Sequence, residues 1–233
     1  MNTSGLLDQL LKSGQEMLQK KGGGGAPGKS GGFNADALGG LLSGAGGGAL
    51  AAGALGLLMG NKRARKMGGK VITYGGLAAL GVLAYKAYSN WQSQQATAPQ
   101  AAPQTLDRLP APQVEAHSEA ILKALVAAAK SDGHVDARER ELIEGELAKL
   151  TQDSQLQQWL DVELNKPLDP AEVARAARTP EMAAEMYLAS VLIVDEEHFM
   201  ERAYLDELAR QLKLDPALKA ELEAQVKQAQ AGV

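Results

Sequence analysis

Cysteine is absent from the 233 residues. Disulfides, thiolate metal sites and cysteine nucleophiles are thereby excluded, while the redox compartment is left open. Glycine is nearly absent from the second half: of 26 glycines, 23 lie at or before Gly81. Acidic residues are scarce where glycine is plentiful. Residues 1–113 carry eleven Lys/Arg against four Asp/Glu, and residues 114–233 carry thirteen against twenty-four, for a formal net charge of -4. One homogeneous globular fold does not have this composition. A basic, Gly-rich, apolar front is joined to an acidic back.

The front divides into three stretches. Residues 1–37 hold an amphipathic helix and a flexible Gly-rich segment. Leu6, Leu7, Leu10, Leu11, Met17 and Leu18 recur at three- and four-residue spacing over residues 1–20. That pattern reads as a partly disordered terminus or as a segment lying on a membrane surface. It is not a signal peptide, because no basic n-region precedes an apolar core. Gly23 to Ser30 reads GGGAPGKS, which matches the phosphate-loop pattern G-x-x-x-x-G-K-[ST]. Such a loop must follow a buried strand and open a helix, so that loop amides and helix N-terminus hold the phosphates together. EMLQKK before it and GGFNADALGG after it supply neither. A strand-like VLIVDE at 191–196 lies inside a long apolar stretch that reads as a helix. A P-loop NTPase is therefore a remote alternative.

Residues 38–91 contain the membrane signals. The run 38–60 has no charge and the length of a span, but Gly and Ala dominate it. Its G-x-x-x-G pairs, Gly44/Gly48 and Gly56/Gly60, allow close helix approach and a homo-oligomer through the Gly-rich segments. A basic cluster follows: Lys62, Arg63, Arg65, Lys66 and Lys70. Residues 71–88 are apolar until Lys86 and are expected to cross the membrane, with Lys86 snorkelling and Tyr85, Tyr88 and Trp91 as an aromatic belt. The positive-inside rule then holds the cluster in the cytoplasm and sends the chain to the periplasmic side. If 38–60 spans and 71–88 does not, the C-terminal half stays inside. Residues 92–113 hold four of the nine prolines and read as a Pro/Ala/Gln spacer.

Residues 114–233 read as an acidic, all-α domain of about seven helices. Ile121, Leu122, Leu125, Val126 and Ala129 form one apolar stripe, with Gly133 placed to end that helix. Asp136 and Glu139 form a capping pair ahead of Leu142, Ile143, Leu147 and Leu150. Leu156, Trp159 and Leu160 mark a third helix. Asp169-Pro170, Thr179-Pro180 and Asp215-Pro216 each place a capping residue before a proline, which signals a helix start. Tyr204, Leu205, Leu208 and Leu212 mark a helix near 200–213.

Two turns carry what chemistry there is. AAAKSDGHVDARERELI (127–143) and SVLIVDEEHFMERAYLDELA (190–209) each run from a helix through an acidic turn into a Glu-Arg pair, as a diverged duplication would. Asp132, Gly133, Val135, Asp136 and Glu139 fit the last positions of a calcium loop. Ala128 and Lys130 fall on its first and third ligand positions, so two oxygens are missing and an ammonium opposes the cation. His134 and His198 offer nitrogen to a transition metal. Helix capping alone also accounts for these residues. No Ser/His/Asp order or carboxylate pair supports a hydrolase.

The AAAKSDGHVDARER turn and the VDEEHFMERAYLDELARQLKLD block together resemble the TerB-like (tellurite-resistance B-like) helical superfamily. With the Gly-rich front and the basic-flanked apolar run, the whole chain resembles YebE-type bacterial inner-membrane proteins. The resemblance implies an all-helical bundle with Asp132, Asp136, Glu139, Asp195, Glu197 and Glu201 gathered at the two turns. It also implies a link to metal or envelope stress and no established enzymatic activity. Asp195-Glu196 stands where the family has Asp-Gly, which departs from a symmetric two-turn metal site. The sequence thus leads to a membrane-anchored, non-enzymatic interaction or sensing module. The alternative is a divalent-metal protein that uses the acidic turns. The expected partners are the lipid bilayer and a protein, with no nucleic acid and no cofactor beyond a weakly held divalent metal.

Overall fold

The computed structural model describes residues 2–8, 77–95, 102–131, 153–194 and 198–231, and every regular element among them is helical. Residues 3–8 form α1. They are followed by α2 (Leu77–Ser93), a 3-10 turn at Leu106–Arg108, α3 (Ala111–Ala129) and α4 (Ser154–Asn165). The chain ends with α5 (Pro170–Ala174), α6 (Pro180–Ile193), α7 (Phe199–Gln211) and α8 (Pro216–Ala231).

Asp169, Thr179 and Asp215 cap helices as the sequence leads one to expect, and Asp153 caps a further one. Asp153 accepts from the Gln155 and Leu156 amides, Asp169 from Ala171, Thr179 from Met182 and Asp215 from Ala217. Each satisfies an amide that the first helical turn leaves without an intrahelical partner. Helix α6 is apolar on all sides, and Met182 through Val191 are all buried, so it forms the axis of the bundle. Helix α3 packs most extensively on α6, α8 on α2, and α7 on α5. The expected stripe of α3 (Ile121, Leu122, Leu125, Val126 and Ala129) is buried.

Residues 77–93 overlap the span expected over 71–88. They form a helix of the bundle packed on α8, α6 and the 3-10 turn. Leu80, Leu83, Ala84 and Ala87 are buried at three- and four-residue spacing, while Val82, Lys86 and Asn90 are exposed. A one-sided stripe is what packing against other helices requires, whereas lipid would accept apolar residues on all sides. The aromatic belt is engaged in the same way. The Arg108 guanidinium sits 3.6 Å over the Tyr85 ring, and Tyr88 meets Trp91 edge-on at 5.2 Å. Among the described residues no helix is long and apolar enough to cross a membrane. Residues 71–76 and 38–60 lie outside the described residues.

Part of the 92–113 spacer is also structured. Thr105 and Leu106 are buried, the Leu106 amide donates to Glu185 at 2.5 Å, and α3 begins at Ala111. The boundary expected at residue 114 falls inside that helix.

Helix α1 joins the same core, with Leu6 at 3% exposure and Leu7 at 0%. Glu115, at the start of α3, accepts from the Thr3 amide, from the Thr3 hydroxyl at 2.5 Å and from the Ser4 amide at 3.4 Å. The Asn2 amide donates to Asp153, the cap of α4, at 3.1 Å. A carboxylate at the N-terminal end of a helical turn satisfies donors that have no intrahelical partner. Burial raises the Glu115 carboxyl, but the bonds from Thr3 and Ser4 outweigh it and hold the group below its ordinary value.

Candidate functional site

Two hydrogen bonds fix the register of α3 against α6. His117 Nδ1 lies 2.9 Å from Glu185 Oε2, and the Ser190 hydroxyl donates to the Ala124 carbonyl at 3.5 Å. Moving along α3 in chain direction therefore moves along α6 in chain direction, so the two helices run parallel. Both end at one pole of the bundle: α3 at Ala129, with buried Ser131 just beyond, and α6 at Ile193. The acidic turns that begin at Asp132 and Asp195 thus leave from neighbouring helix ends. Glu115 and α1 sit toward the other end of α3, roughly 21 Å from Ala129 at the rise of an α-helix.

Of the six carboxylates expected at the turns, Asp132, Asp136, Glu139, Asp195 and Glu197 lie outside the described residues, as does His134. Glu201 is in the first turn of α7 and is wholly buried. That position favours a negative charge through the helix dipole. Tyr204, one turn further along the same face, is also buried. Burial pushes its phenol well above the ordinary value, with Ser190 beside it acting in the opposite direction. His198 is exposed at the head of α7, next to Phe199 and Met200, which are 77% and 54% exposed. Among the described residues, no three His, Asp or Glu side chains converge as a metal would need.

Lys130 falls on the third position of the calcium-loop spacing. Its ammonium donates to the carbonyls of Glu163 and Lys166, at 2.9 and 2.5 Å. It closes the C-terminal end of α4, where unpaired carbonyls attract a cation. Val191 to Ile193 are helical and form no strand, as the length of that apolar stretch leads one to expect. Gly23 to Ser30 lie outside the described residues.

Two polar groupings were not foreseen. In the first, Glu185 is wholly buried between His117 and the Leu106 amide, joining α6, α3 and the 3-10 turn. Desolvation raises its carboxyl, against the lowering effect of His117 and the Leu106 amide. The available signal was a lone Glu inside the apolar run MAAEMYLAS. In the second, Lys123 donates to Glu172 at 2.7 Å, and Lys166 pairs with both Glu172 and Glu163 beside a shallow cleft. The hydrogen bond from Lys123 leads the effects that hold the Glu172 carboxyl low, and Glu163 raises the Lys166 ammonium. These side chains are 17 to 35% exposed except for Glu163 at 8%, so the network is a modest tie between α3, α4 and α5.

Residues 44–226 match the family model described as "Protein of unknown function (DUF533)". A protein of Yersinia enterocolitica, described as "Uncharacterized protein in ampR 5'region", is 32% identical over 115 residues. That alignment covers 49% of this chain and 83% of the relative. No solved structure matches.

Proposed function

The chain belongs to the DUF533 family, which is related to TerB-like domains, and we propose that it is a non-enzymatic helical-bundle interaction module held at the cytoplasmic face of a bacterial inner membrane. The observation that carries this reading is the place of α2 in the bundle. The basic cluster ends at Lys70, seven residues before α2 begins. Bundle and cluster therefore share one side, and the positive-inside rule makes that side the cytoplasm. The periplasmic placement of the C-terminal domain, expected from a span at 71–88, is set aside with that span.

Lipid contact falls to the cluster and to the uncharged run 38–60. Five basic residues near an anionic leaflet are each worth about 1 kcal/mol. Several buried or half-buried carboxylates serve structural ties: Glu115 holds α1, Glu185 joins three elements, and Glu172 joins Lys123 to Lys166. The adjacent exposed side chains of Phe199 and Met200 offer apolar contact to a protein partner beside the acidic turns.

Co-sedimentation of the full chain with vesicles tests the reading. Binding is expected to anionic vesicles, to weaken with salt, and to fall when Lys62, Arg63, Arg65 and Lys66 are all replaced by Gln. A reporter fused after Val233 is expected to read cytoplasmic, and a periplasmic reading would contradict the proposal.

A second reading has one observation in its favour. The parallel run of α3 and α6 brings the exits of both acidic turns to one pole, where Glu201 is buried. A divalent metal held between the turns would draw on Asp132, Asp136, Glu139, Asp195, Glu197 and Glu201. Titration of the full chain with Ca²⁺, Zn²⁺ and Mn²⁺ decides it. A low-micromolar site lost in Asp132→Ala supports the metal reading, and millimolar or no binding removes it.

A further inference from the structure

The two ends of the stretch between Asp8 and Leu77 are both built into one core. At the first end, Leu6 and Leu7 are buried and Glu115 takes the Thr3 amide, the Thr3 hydroxyl and the Ser4 amide. The Asn2 amide ties the same end to Asp153 at the head of α4. At the second end, Leu80, Leu83, Ala84 and Ala87 are buried, and Gly81 lies against the backbone of Asp107. We infer that residues 3–8 and the bundle from 77 to 231 lie on the same face of any membrane the protein meets.

The consequence reaches beyond the choice of compartment. A chain that leaves a body and rejoins it on one side crosses a bilayer an even number of times or not at all. A single crossing by the uncharged run 38–60 would put Leu6 and Leu7 on the far side of about 30 Å of hydrocarbon from the core that buries them. That run is therefore not a lone membrane span, although its length and lack of charge suit one. Membrane contact itself rests on the function proposed above, whereas the docking of α1 does not.

The absence of cysteine makes the test direct. Asn2→Cys and Ser154→Cys are introduced together into the full chain, and a short bis-maleimide is applied to native membranes. An intramolecular crosslink is expected, and it is expected to be lost when Leu7→Asp is added. Sidedness is read with Asn2→Cys and Gln113→Cys as single variants, both exposed positions, in sealed vesicles treated with an impermeant maleimide. Both sites are expected to be labelled, or both protected, in vesicles of a given orientation. Opposite labelling, or no crosslink in the double variant, overturns the inference. If the chain does not fractionate with membranes, the proposed membrane role fails, and the crosslink alone then decides whether α1 is docked.

Discussion

A Cβ placed on Gly81 would lie 2.7 Å from Asp107 Oδ1 and 2.8 Å from the Asp107 backbone nitrogen. The absent side chain lets α2 meet the 3-10 turn that also anchors Glu185. Alanine would improve helix propensity by about 1 kcal/mol. Forcing a methyl against a backbone atom costs about 1–3 kcal/mol. Gly81→Ala is therefore expected to lower stability by up to about 2 kcal/mol, from the difference of those two effects. Urea unfolding of the variant checks this, and an unchanged or raised midpoint would mean that α2 does not press on Asp107.

Leu7 is the deepest side chain of α1, at 0% exposure. Truncating a buried leucine to alanine costs about 2–5 kcal/mol when the site cannot collapse. Leu7→Ala is expected to fall at the low end of that range, because α1 is short. The carboxylate of Glu115 gives the same contact a pH dependence. Its pKa is lowered in the folded state, so its stabilising contribution is present above the ordinary carboxylate pKa and is lost as pH falls through the folded value. Exchange protection of the residue 3–8 amides is expected to drop on acidification in the parent and to vary less in Glu115→Gln.

Glu185 behaves in the opposite sense. Its pKa is raised by burial, with Asp107 adding to the rise and His117 and the Leu106 amide opposing it. The native state then holds the proton more tightly than the unfolded chain. The resulting stability is full below the unfolded carboxylate pKa and is lost as pH rises through the folded value. Glu185→Gln has no proton to lose there. The variant is expected to gain stability relative to the parent as pH rises from about 4 to 7, across and above the unfolded glutamate value. Urea midpoints across that window read the difference, and a constant gap would contradict the buried-charge assignment.

Much of the bundle was legible because its caps and stripes are local. Asp169, Thr179 and Asp215 announce helix starts, and all three accept the amides expected of caps. The membership of α2 was not legible. Hydropathy scores 71–88 alike for lipid and for a protein interior, and only the partners of Leu80, Leu83 and Ala87 tell the two apart. Docking of α1 was hidden for a related reason. A short amphipathic stretch shows its apolar face but not what covers it, and Glu115 is more than a hundred residues away in sequence. The buried tie of Glu185 to His117 also spans distant helices.

Lys213 shows what the scarcity of glycine in the back half costs. It follows α7 with φ of 55°, where the Leu214 amide reaches back to the Ala209 carbonyl at 3.1 Å. That left-handed closing position usually holds glycine. Lys213→Gly relieves the strain at some cost in unfolded-state entropy, and is expected to gain up to about 1 kcal/mol. A lower melting temperature for the variant would mean that the lysine side chain makes a contact worth more than the strain.

The most direct test of whether α2 belongs to the bundle uses single cysteines along it, in the membrane-bound full chain. Val82→Cys, Lys86→Cys and Asn90→Cys occupy exposed positions, and Leu80→Cys, Leu83→Cys and Ala87→Cys occupy buried ones. N-ethylmaleimide labels thiols that reach water. Strong labelling of the first three and weak labelling of the last three is the result expected of a helix packed on one side in an aqueous domain. Uniform protection from Leu80 through Ala87, Val82 included, would contradict that and return the segment to the bilayer.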